Sequence, residues 1–215
     1  MSKVDPGLRN PRDRRMPRLY PIVDAGLFAT TSDLCSYAEE LAAGGCTLLQ
    51  YRNKSGNARA MLEQALELKR ILGGRVQLIM NDRADLCLAA GFDGVHVGQE
   101  DLSPASVRGL IGPDLWLGVS THNPEQMAEA EQTTADYLAI GPVFATGSKD
   151  RPDPVVGLEG VRRARALTGK PLVGIGGITR ANARLVIEAG ADAVAVIADL
   201  YREPRQAAEE FLRLF

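Results

Sequence analysis

The sequence predicts a single α/β domain in which eight strands and eight helices alternate and close into a (β/α)8 barrel. Short apolar segments, typical of buried strands, alternate with helical patterns from residue 18 to residue 215. Several of these segments are continuous apolar runs, as expected for parallel strands covered on both faces. A chain of 215 residues is long enough for one sizeable core and leaves no stretch over for a second domain.

Each predicted strand is short and is followed by a helical pattern. The predicted strands are Leu19–Val23, Cys46–Tyr51, Val76–Met80, Gly94–Val97, Leu115–Val119, Tyr137–Ile140, Leu172–Ile175 and Ala193–Ile197. The predicted helices are Asp33–Ala43, Ala58–Leu72, Arg83–Ala90, Ala105–Leu110, Pro124–Glu131, Leu158–Leu167, Arg180–Ala189 and Pro204–Leu214. In the second helix, apolar residues recur at steps of four and three from Met61 to Leu72, which indicates a face directed at the core.

The number of elements decides between two architectures. Eight strands and eight helices match a closed TIM barrel, whose last helix packs against the closing strand. The alternative is an open doubly wound sheet, which usually has fewer strands and often carries a G-x-G-x-x-G motif after the first strand. The sequence has no such motif at that place. We therefore predict a TIM barrel over residues 18–215, preceded by a polar arm at residues 1–17 that is expected to be disordered.

The composition argues against several classes of protein. A formal net charge of −2 is not the basic footprint of a general nucleic-acid binder. No segment approaches the roughly 20 apolar residues of a membrane span, and the N-terminus lacks a signal peptide's apolar stretch. Cys35, Cys46 and Cys87 lie within or beside apolar segments, which indicates reduced core thiols. We expect a cytoplasmic protein without nucleic-acid or membrane partners; a homo-oligomer is compatible with the sequence, which does not fix that state.

Two carboxylates follow neighbouring predicted strands. Asp82 comes directly after the third strand segment, and Asp101 follows the fourth, with one helix between them. In a βαβ unit the two strands are parallel and adjacent, so both carboxylates should emerge at the C-terminal end of the barrel. Together with Asn81 they suit a hard cation such as Mg²⁺, held jointly with substrate phosphates. The alternative is that each Asp only caps the helix that follows it.

The second strand ends in the run Gln50-Tyr51-Arg52-Asn53-Lys54. Because side chains alternate along a strand, Gln50 and Arg52 point the same way, and Lys54 follows as the chain leaves the strand. An inward arginine requires an anion. That anion is either a ligand phosphate, which Arg contacts well, or a carboxylate in a structural pair. The sequence leaves both readings open.

Further polar groups follow the fifth and sixth strands. Ser120 could bind a phosphate oxygen or cap a helix, and His122 could act as an acid or base near neutral pH. His96, inside the fourth strand, is interpreted as a structural histidine, and two histidines do not predict a histidine metal site. The long Gly- and Pro-containing connection after the sixth strand is predicted to be a mobile lid. It carries Lys149, a candidate pyrophosphate ligand or else a solvated side chain.

The seventh strand runs into a pair of glycines, Gly176-Gly177, ahead of the next helix. Consecutive glycines let backbone N–H groups approach an anion, and a helix N-terminus favours negative charge. The loops after strands seven and eight form the recurrent phosphate site of this barrel class. The sequence therefore predicts a bound phosphate at this place.

The residues described above resemble the thiamin phosphate synthase family. The resemblance covers nearly the whole chain from Leu19 onward, with the motifs in order and at compatible spacing. These motifs are Gln50-Tyr51-Arg52-Asn53-Lys54, Asn81-Asp82-Arg83, Gly94-Val95-His96-Val97-Gly98-Gln99-Glu100-Asp101, Gly118-Val119-Ser120-Thr121-His122, Asp136-Tyr137, Gly141-Pro142-Val143-Phe144, Lys149 and Ile175-Gly176-Gly177-Ile178. The related TenI thiazole tautomerase shares part of this set but lacks the pattern that ends in Asp101.

The resemblance implies a Mg²⁺-dependent transferase. The family joins a hydroxymethylpyrimidine diphosphate to a thiazole phosphate and releases pyrophosphate. The implied diphosphate site comprises Gln50, Arg52, Lys54, Asn81 and Lys149, with Tyr51 and Asn53 in the same motif. Asp82 and Asp101 would hold Mg²⁺, and Ser120 would contact the pyrimidine. The implied thiazole phosphate site comprises Thr146, Gly147, Ser148, Gly177, Ile197 and Ala198. Arg52, Lys54, Lys149 and Ser120 are the expected catalytic residues.

The chain departs from the family pattern at three places. Ser148 stands where the family usually has Thr, and Ala198 stands where it usually has Ser. The loop after Lys149 is longer and richer in proline than usual. Two other functions stay open: a TenI-like tautomerase, which would not need a metal, and a phosphate-binding barrel that releases no pyrophosphate.

Overall fold

The computed structural model describes residues 15–147 and 154–215. Eight parallel strands form a closed barrel in the order of the chain, and pairing of the first strand with the last closes it. The strands are β1 (Leu19–Asp24), β2 (Leu48–Arg52), β3 (Gln77–Asn81), β4 (Gly94–Val97), β5 (Trp116–Thr121), β6 (Tyr137–Ile140), β7 (Leu172–Ile175) and β8 (Ala193–Val196).

A helix follows each strand and packs on the outside of the barrel. The helices are α1 (Thr31–Ala43), α2 (Ala58–Leu72), α3 (Ala84–Ala90), α4 (Pro104–Ile111), α5 (Pro124–Glu131), α6 (Gly157–Leu167), α7 (Ala183–Glu188) and α8 (Pro204–Arg213). Short 3₁₀ helices, Ala25–Leu27 and Ala198–Leu200, follow the first and last strands. No helix in the described ranges has both the length and the apolar character needed to cross a membrane.

The alternation of side chains along the strands divides the core into two layers. Residues that point outward, such as Tyr51 in β2, pack between the barrel and the helices. Residues that point inward fill the barrel itself, with Tyr20, Trp116 and Tyr137 as its aromatic members. Both layers are buried, which is why the strands read as nearly continuous apolar runs. The barrel is therefore a packed core and not a pore.

Three aspartates at the N-terminal end of the barrel repeat one arrangement, and we call them the aspartate clips: Asp93, Asp136 and Asp192. Each precedes an even-numbered strand and accepts a hydrogen bond of 2.8 Å from a backbone N–H near the start of the preceding strand. Each also pairs with a cation on a helix. The cations are Lys69 on α2 at 3.3 Å, Arg108 on α4 at 2.7 Å and Arg165 on α6 at 2.9 Å. The clips thus tie helix, strand and neighbouring strand together every two βα units.

The predicted barrel and its eight strands and helices are confirmed, and the differences lie at element ends. Helix α7 begins at Ala183 and not at Arg180. The reason is local, because the backbone N–H of Arg180 donates to Asp199 and that of Thr179 donates to the side chain of Asn182. The predicted disordered arm, residues 1–17, lies mostly outside the described residues, which begin at Arg15.

Candidate active site

A cleft of about 1550 Å³ opens at the C-terminal end of the barrel. Residues that follow seven of the eight strands line it, as expected for the active site of this fold. It contains most of the predicted site residues. Those that line it are Arg52, Asn53, Lys54, Asn81, Asp82, Asp101, Ser120, His122, Gly147, Ile197 and Ala198.

The two predicted metal-binding carboxylates lie together in this cleft. Strands β3 and β4 are parallel neighbours, and the Asp82 N–H donates to the carbonyl oxygen of His96 at 2.8 Å. Asp101 accepts a hydrogen bond of 2.8 Å from the N–H of Gly98. Burial raises the pKa of the Asp101 carboxyl, the Gly98 N–H opposes this, and Asp82 raises the pKa further through a hydrogen bond and its charge. The two carboxylates repel each other when both are ionised, and a cation bound between them would reduce that repulsion.

Neither carboxylate serves as a helix cap, which was the alternative for both. The residue that precedes α3 is Arg83, without a side-chain capping bond, and α4 is capped by Ser103. Asp82 also has a φ of 62°, in the left-handed region that few residues other than glycine adopt. Such backbone conformations cluster at functional sites, where the surrounding structure maintains them.

The basic residues of the cleft are already paired with carboxylates. Arg52 donates to Asp24, which ends β1 beside it, and Lys54 contacts Asp82 at 2.5 Å. The structure shows the carboxylate pair, and Arg52 also faces the cleft, so contact between Arg52 and a ligand phosphate stays a prediction. The Lys54 side chain is 55% exposed, which leaves it room to turn from Asp82 to an incoming anion.

Asn81 brings an unused donor to the same place. Its side-chain nitrogen is buried and has no hydrogen-bond partner among the residues that the structure describes. A buried donor without an acceptor is costly, so this amide is suited to an acceptor supplied by a ligand. Asn81 ends β3 directly before Asp82 and lines the cleft.

The other members of the second-strand motif differ in position. Asn53 lines the cleft and donates to Gln64 at 2.9 Å. Tyr51 points away from the cleft into the helical layer, where its hydroxyl donates to Gln64 at 2.6 Å. This follows from the two-residue period, which sends Tyr51 to the face opposite Gln50 and Arg52. A contact between the Tyr51 side chain and a substrate is therefore not supported.

A series of hydrogen-bonded polar side chains runs through the barrel interior to the cleft, and we call it the interior network: Gln50, Tyr20, Tyr137, His96 and Ser120. Gln50 donates to the Tyr20 hydroxyl at 3.0 Å, and the two tyrosine hydroxyls lie 2.9 Å apart. The Tyr137 hydroxyl is 3.0 Å from Nδ1 of His96, whose Nε2 is 2.8 Å from Oγ of Ser120. Gln50 is thus buried beneath the cleft floor, while Ser120 lines the cleft.

The predicted phosphate site lies around the pair of glycines after β7. Gly177 has a φ of 62°, and a Cβ there would lie 2.4 Å from the carbonyl oxygen of Ala145. Only glycine fits this close approach to the segment after β6. Ile197 and Ala198, at the start of the last 3₁₀ helix, line the cleft together with Gly147. Thr146 precedes Gly147, whereas Ser148, Lys149 and most of the predicted lid, residues 148–153, lie outside the described residues.

His122 lines the cleft, and a backbone carbonyl oxygen contacts its ring. Its Nδ1 is 2.6 Å from the carbonyl oxygen of Gly141, and its backbone N–H donates to Gln126 at 2.8 Å. Because a carbonyl oxygen can only accept, Nδ1 carries the proton. The contact orients the ring at the edge of the site.

Sequence reasoning missed three polar residues of the site region, namely Asp24, Tyr20 and Tyr137. A signal for Asp24 exists, because it ends β1 as Arg52 ends β2, and an inward arginine requires an anion. The tyrosines gave no such signal. They read as apolar strand residues, and their hydroxyl contact joins positions 117 residues apart.

Comparison with known proteins gives a consistent result. The family model described as thiamine monophosphate synthase matches residues 19–200. The chain is 61% identical over 203 residues to a thiamine-phosphate synthase of Koribacter versatilis, covering 93% of this chain and 96% of the relative. It is 46% identical over 181 residues to one from Chloroflexus aurantiacus, covering 84% and 83%. A solved thiamine phosphate pyrophosphorylase from Pyrococcus furiosus superposes with a TM-score of 0.81 at 34% identity, covering 92% of this chain and 94% of that one.

Proposed function

The chain belongs to the thiamine monophosphate synthase family, and we therefore propose that it is a thiamin phosphate synthase. In this reaction the hydroxymethylpyrimidine group is transferred from its diphosphate to thiazole phosphate, giving thiamin phosphate and pyrophosphate. The observation that carries the proposal is the adjacency of two cleft carboxylates, Asp82 and Asp101, to the Asn81 side-chain nitrogen, which has no hydrogen-bond partner in the described part of the chain. Carboxylates beside an unused donor suit a diphosphate accompanied by a cation.

We propose that the cation is Mg²⁺, held by Asp82 and Asp101. No group of three or more His, Cys, Asp and Glu side chains in the described part of the chain forms a complete metal cage. Mg²⁺ needs none, since it is commonly held by one or two carboxylates together with substrate phosphates and water. When bound, the ion would neutralise the charge of the leaving pyrophosphate. The raised pKa of Asp101 fits this role, because a cation would stabilise the ionised carboxylate.

The diphosphate would be held by donors that face the same part of the cleft. Arg52, aligned by Asp24, presents a planar fork suited to phosphate oxygens. Lys54 would leave Asp82 for the diphosphate once a cation replaces it there, and the Asn81 amide would gain its acceptor. Lys149 completes the set by family resemblance.

The chemistry follows from this charge arrangement. The bond between the pyrimidine methylene carbon and the bridging oxygen breaks, its electron pair leaves with pyrophosphate, and the thiazole nitrogen lone pair forms the new C–N bond. Negative charge develops on the leaving group, where Arg52 and Lys54 would stabilise it as it forms. Loss of one such contact should lower the rate by roughly 10²- to 10³-fold. No protein nucleophile is required, so Ser120 would serve to hold the pyrimidine.

The second substrate would bind at the opposite side of the cleft. We assign the thiazole phosphate to backbone N–H groups near Gly177, Ile197 and Ala198 and to the segment Thr146–Ser148. The close approach of Gly177 to the segment after β6 supports a compact, backbone-built site. Such a site tolerates Ala198, which lacks the side-chain hydroxyl that the family usually has there.

We propose that the protein acts in the cytoplasm on small-molecule substrates. Cys35, Cys46 and Cys87 are buried and unpaired, as expected in a reducing compartment. Burial raises the pKa of the Cys46 and Cys87 thiols to about 12, so neither is a reactive thiolate.

One experiment tests the function and separates it from its rivals. Purified protein is incubated with both substrates, with and without Mg²⁺, and thiamin phosphate and pyrophosphate are measured. A synthase forms both products only when both substrates and Mg²⁺ are present. Metal-independent proton exchange on thiazole phosphate alone would instead indicate a tautomerase, a reading that the position of His122 at the cleft favours. Binding without any product would indicate a phosphate-binding barrel.

A further inference from the structure

The interior network contains more connected hydrogen bonds than a packed apolar core requires. Its five members come from five different strands: Tyr20 from β1, Gln50 from β2, His96 from β4, Ser120 from β5 and Tyr137 from β6. All but Ser120 are at most 6% exposed, so the hydrogen bonds among these four are formed almost without water. Buried polar groups are costly unless they are hydrogen-bonded, and in the interior network each group bonds to the next. It ends at Ser120, which opens to the cleft.

The backbone of β5 makes room for the central contact of this chain. Gly118 pairs with His96 on one side and with Tyr137 on the other. A Cβ at Gly118 would lie 2.4 Å from Nδ1 of His96 and 2.4 Å from the Tyr137 hydroxyl. Any other residue at this position would displace the two groups. The glycine therefore indicates that the histidine–tyrosine contact is a specific part of the structure.

The hydrogen bonds of the network have a direction, which Gln50 sets. The Gln50 amide nitrogen donates to the Tyr20 hydroxyl, and the acceptor for the Tyr20 proton would then be the Tyr137 hydroxyl, 2.9 Å away. Tyr137 would in turn donate to Nδ1 of His96. A neutral histidine that accepts at Nδ1 carries its proton on Nε2 and donates it to Ser120. The Ser120 hydroxyl then accepts from below and has its own proton for an acceptor in the cleft.

We propose that Gln50, acting through Tyr20, Tyr137 and His96, positions Ser120 as a hydrogen-bond donor to a ring nitrogen of the pyrimidine substrate. The proposal rests on the proposed function for the identity of that substrate, but the direction of the network is a property of the protein alone. Gln50 and His96 are thereby positioning residues. This gives Gln50 a role different from direct contact with the diphosphate.

The direction is measured on the ligand-free protein by NMR of ¹⁵N-labelled histidine. Protonated and unprotonated ring nitrogens have well-separated chemical shifts, and the chain has two histidines. The His122→Asn variant identifies the signals of His96. We expect Nε2 of His96 to carry the proton and Nδ1 to be unprotonated at neutral pH. Any other protonation state of His96 overturns the proposal, whatever the enzyme's substrate.

The origin of the direction is tested with Gln50→Glu. At alkaline pH, where the new carboxyl is ionised, it can only accept, so Tyr20 must donate to it and each later bond reverses. We expect the proton of His96 to move to Nδ1. An unchanged tautomer in the folded variant would show that Gln50 does not set the direction. If this variant does not fold, the wild-type tautomer and the kinetic test below still decide.

The consequence for binding is tested with Tyr137→Phe, which breaks the chain without adding charge. We expect KM for the pyrimidine diphosphate to rise about 2- to 10-fold, the effect of one hydrogen bond, while KM for thiazole phosphate and kcat stay unchanged. Tyr37→Phe is the matched control, because Tyr37 is also buried but lies in the outer layer. Equal changes in both KM values, or none, would contradict a positioning role. Absence of turnover in the wild type would refute the proposed function and leave the tautomer result intact.

Discussion

At the scale of single residues, Asp101 shows how the site is prepared for a cation. Its carboxyl is partly buried, receives one backbone N–H and lies beside a second carboxylate. Burial and Asp82 both raise the pKa of Asp101, because each disfavours the ionised form, and this outweighs the opposing effects of the Gly98 N–H and Lys54. The fold therefore makes ionisation of this carboxyl less favourable than it is in water. Functional sites commonly show this exchange of stability for chemistry.

The first prediction is that Asp101→Asn stabilises the metal-free protein while removing Mg²⁺-dependent turnover. The pKa of Asp101 is raised on folding, so this carboxyl favours the folded state at acid pH, and that contribution is lost as pH rises through the folded-state pKa. The variant should therefore melt at a higher temperature than wild type at neutral pH. Turnover should fall at least 10²-fold. Thermal melts across pH and assays with Mg²⁺ measure the two effects.

Asp114→Asn is the control for this prediction, because Asp114 is exposed and lies outside the cleft. It should change neither the melting temperature nor the turnover. A neutral-pH melting temperature of Asp101→Asn at or below that of wild type would contradict the charge argument.

At the scale of elements, the aspartate clips explain how short strands of four to six residues are held in register. Each clip binds a backbone N–H of one strand, precedes the next strand and pairs with a helix. Charge-assisted hydrogen bonds of this kind are stronger than neutral ones. The clips lie at the end of the barrel where this fold places stability and not chemistry.

The second prediction is that Asp136→Ala destabilises the barrel without altering the chemistry. It removes the acceptor of the Leu117 N–H and leaves Arg108 without its carboxylate. The free energy of unfolding should fall by about 2–4 kcal/mol, the effect of an unsatisfied buried donor and a broken charge pair. Urea unfolding measures this, and kcat below the melting transition should match wild type. Asp114→Ala, at an exposed position, should stay within about 0.5 kcal/mol; a similar loss in both variants would argue against the clip.

At the scale of the whole molecule, the cleft is built from loops of nearly the entire chain. Residues after seven of the eight strands line it, so a ligand there connects distant parts of the barrel. A ligand that binds the folded state alone stabilises it by mass action. Since the diphosphate site is assigned to a cation and its carboxylates together, stabilisation should depend on both components.

The third prediction is that pyrophosphate raises the melting temperature more with Mg²⁺ than without it. At a concentration of 100 times Kd the gain is about 2.7 kcal/mol, which corresponds to roughly 5–10 °C for a protein of this size. Differential scanning fluorimetry measures the shift. Asp101→Asn should lose the Mg²⁺-dependent part and keep a smaller shift from Arg52 and Lys54. An equal shift with and without Mg²⁺ in wild type would refute the joint site.

The sequence predicted those features that depend on local pattern. Alternation of strand and helix gave the barrel, and the barrel placed Asp82, Asp101 and Arg52 at one end. It could not predict contacts that depend on where remote side chains meet. Tyr20 and Tyr137 read as core aromatics, and their polar role appears only when strands β1 and β6 face each other across the interior. The position of His96 inside a strand indicates a structural histidine, but its contact with Ser120 joins two strands and does not follow from local pattern.

The placement of the aspartate clips at the base of the barrel has a consequence for how this scaffold can diverge. The clips stabilise the base of the barrel, whereas the loops that line the cleft lie at the opposite mouth. Exchange of these loops therefore leaves the clips intact, and reinforcement of the clips leaves the cleft residues in place. A protein engineer can alter heat tolerance and chemical repertoire of this barrel in separate steps.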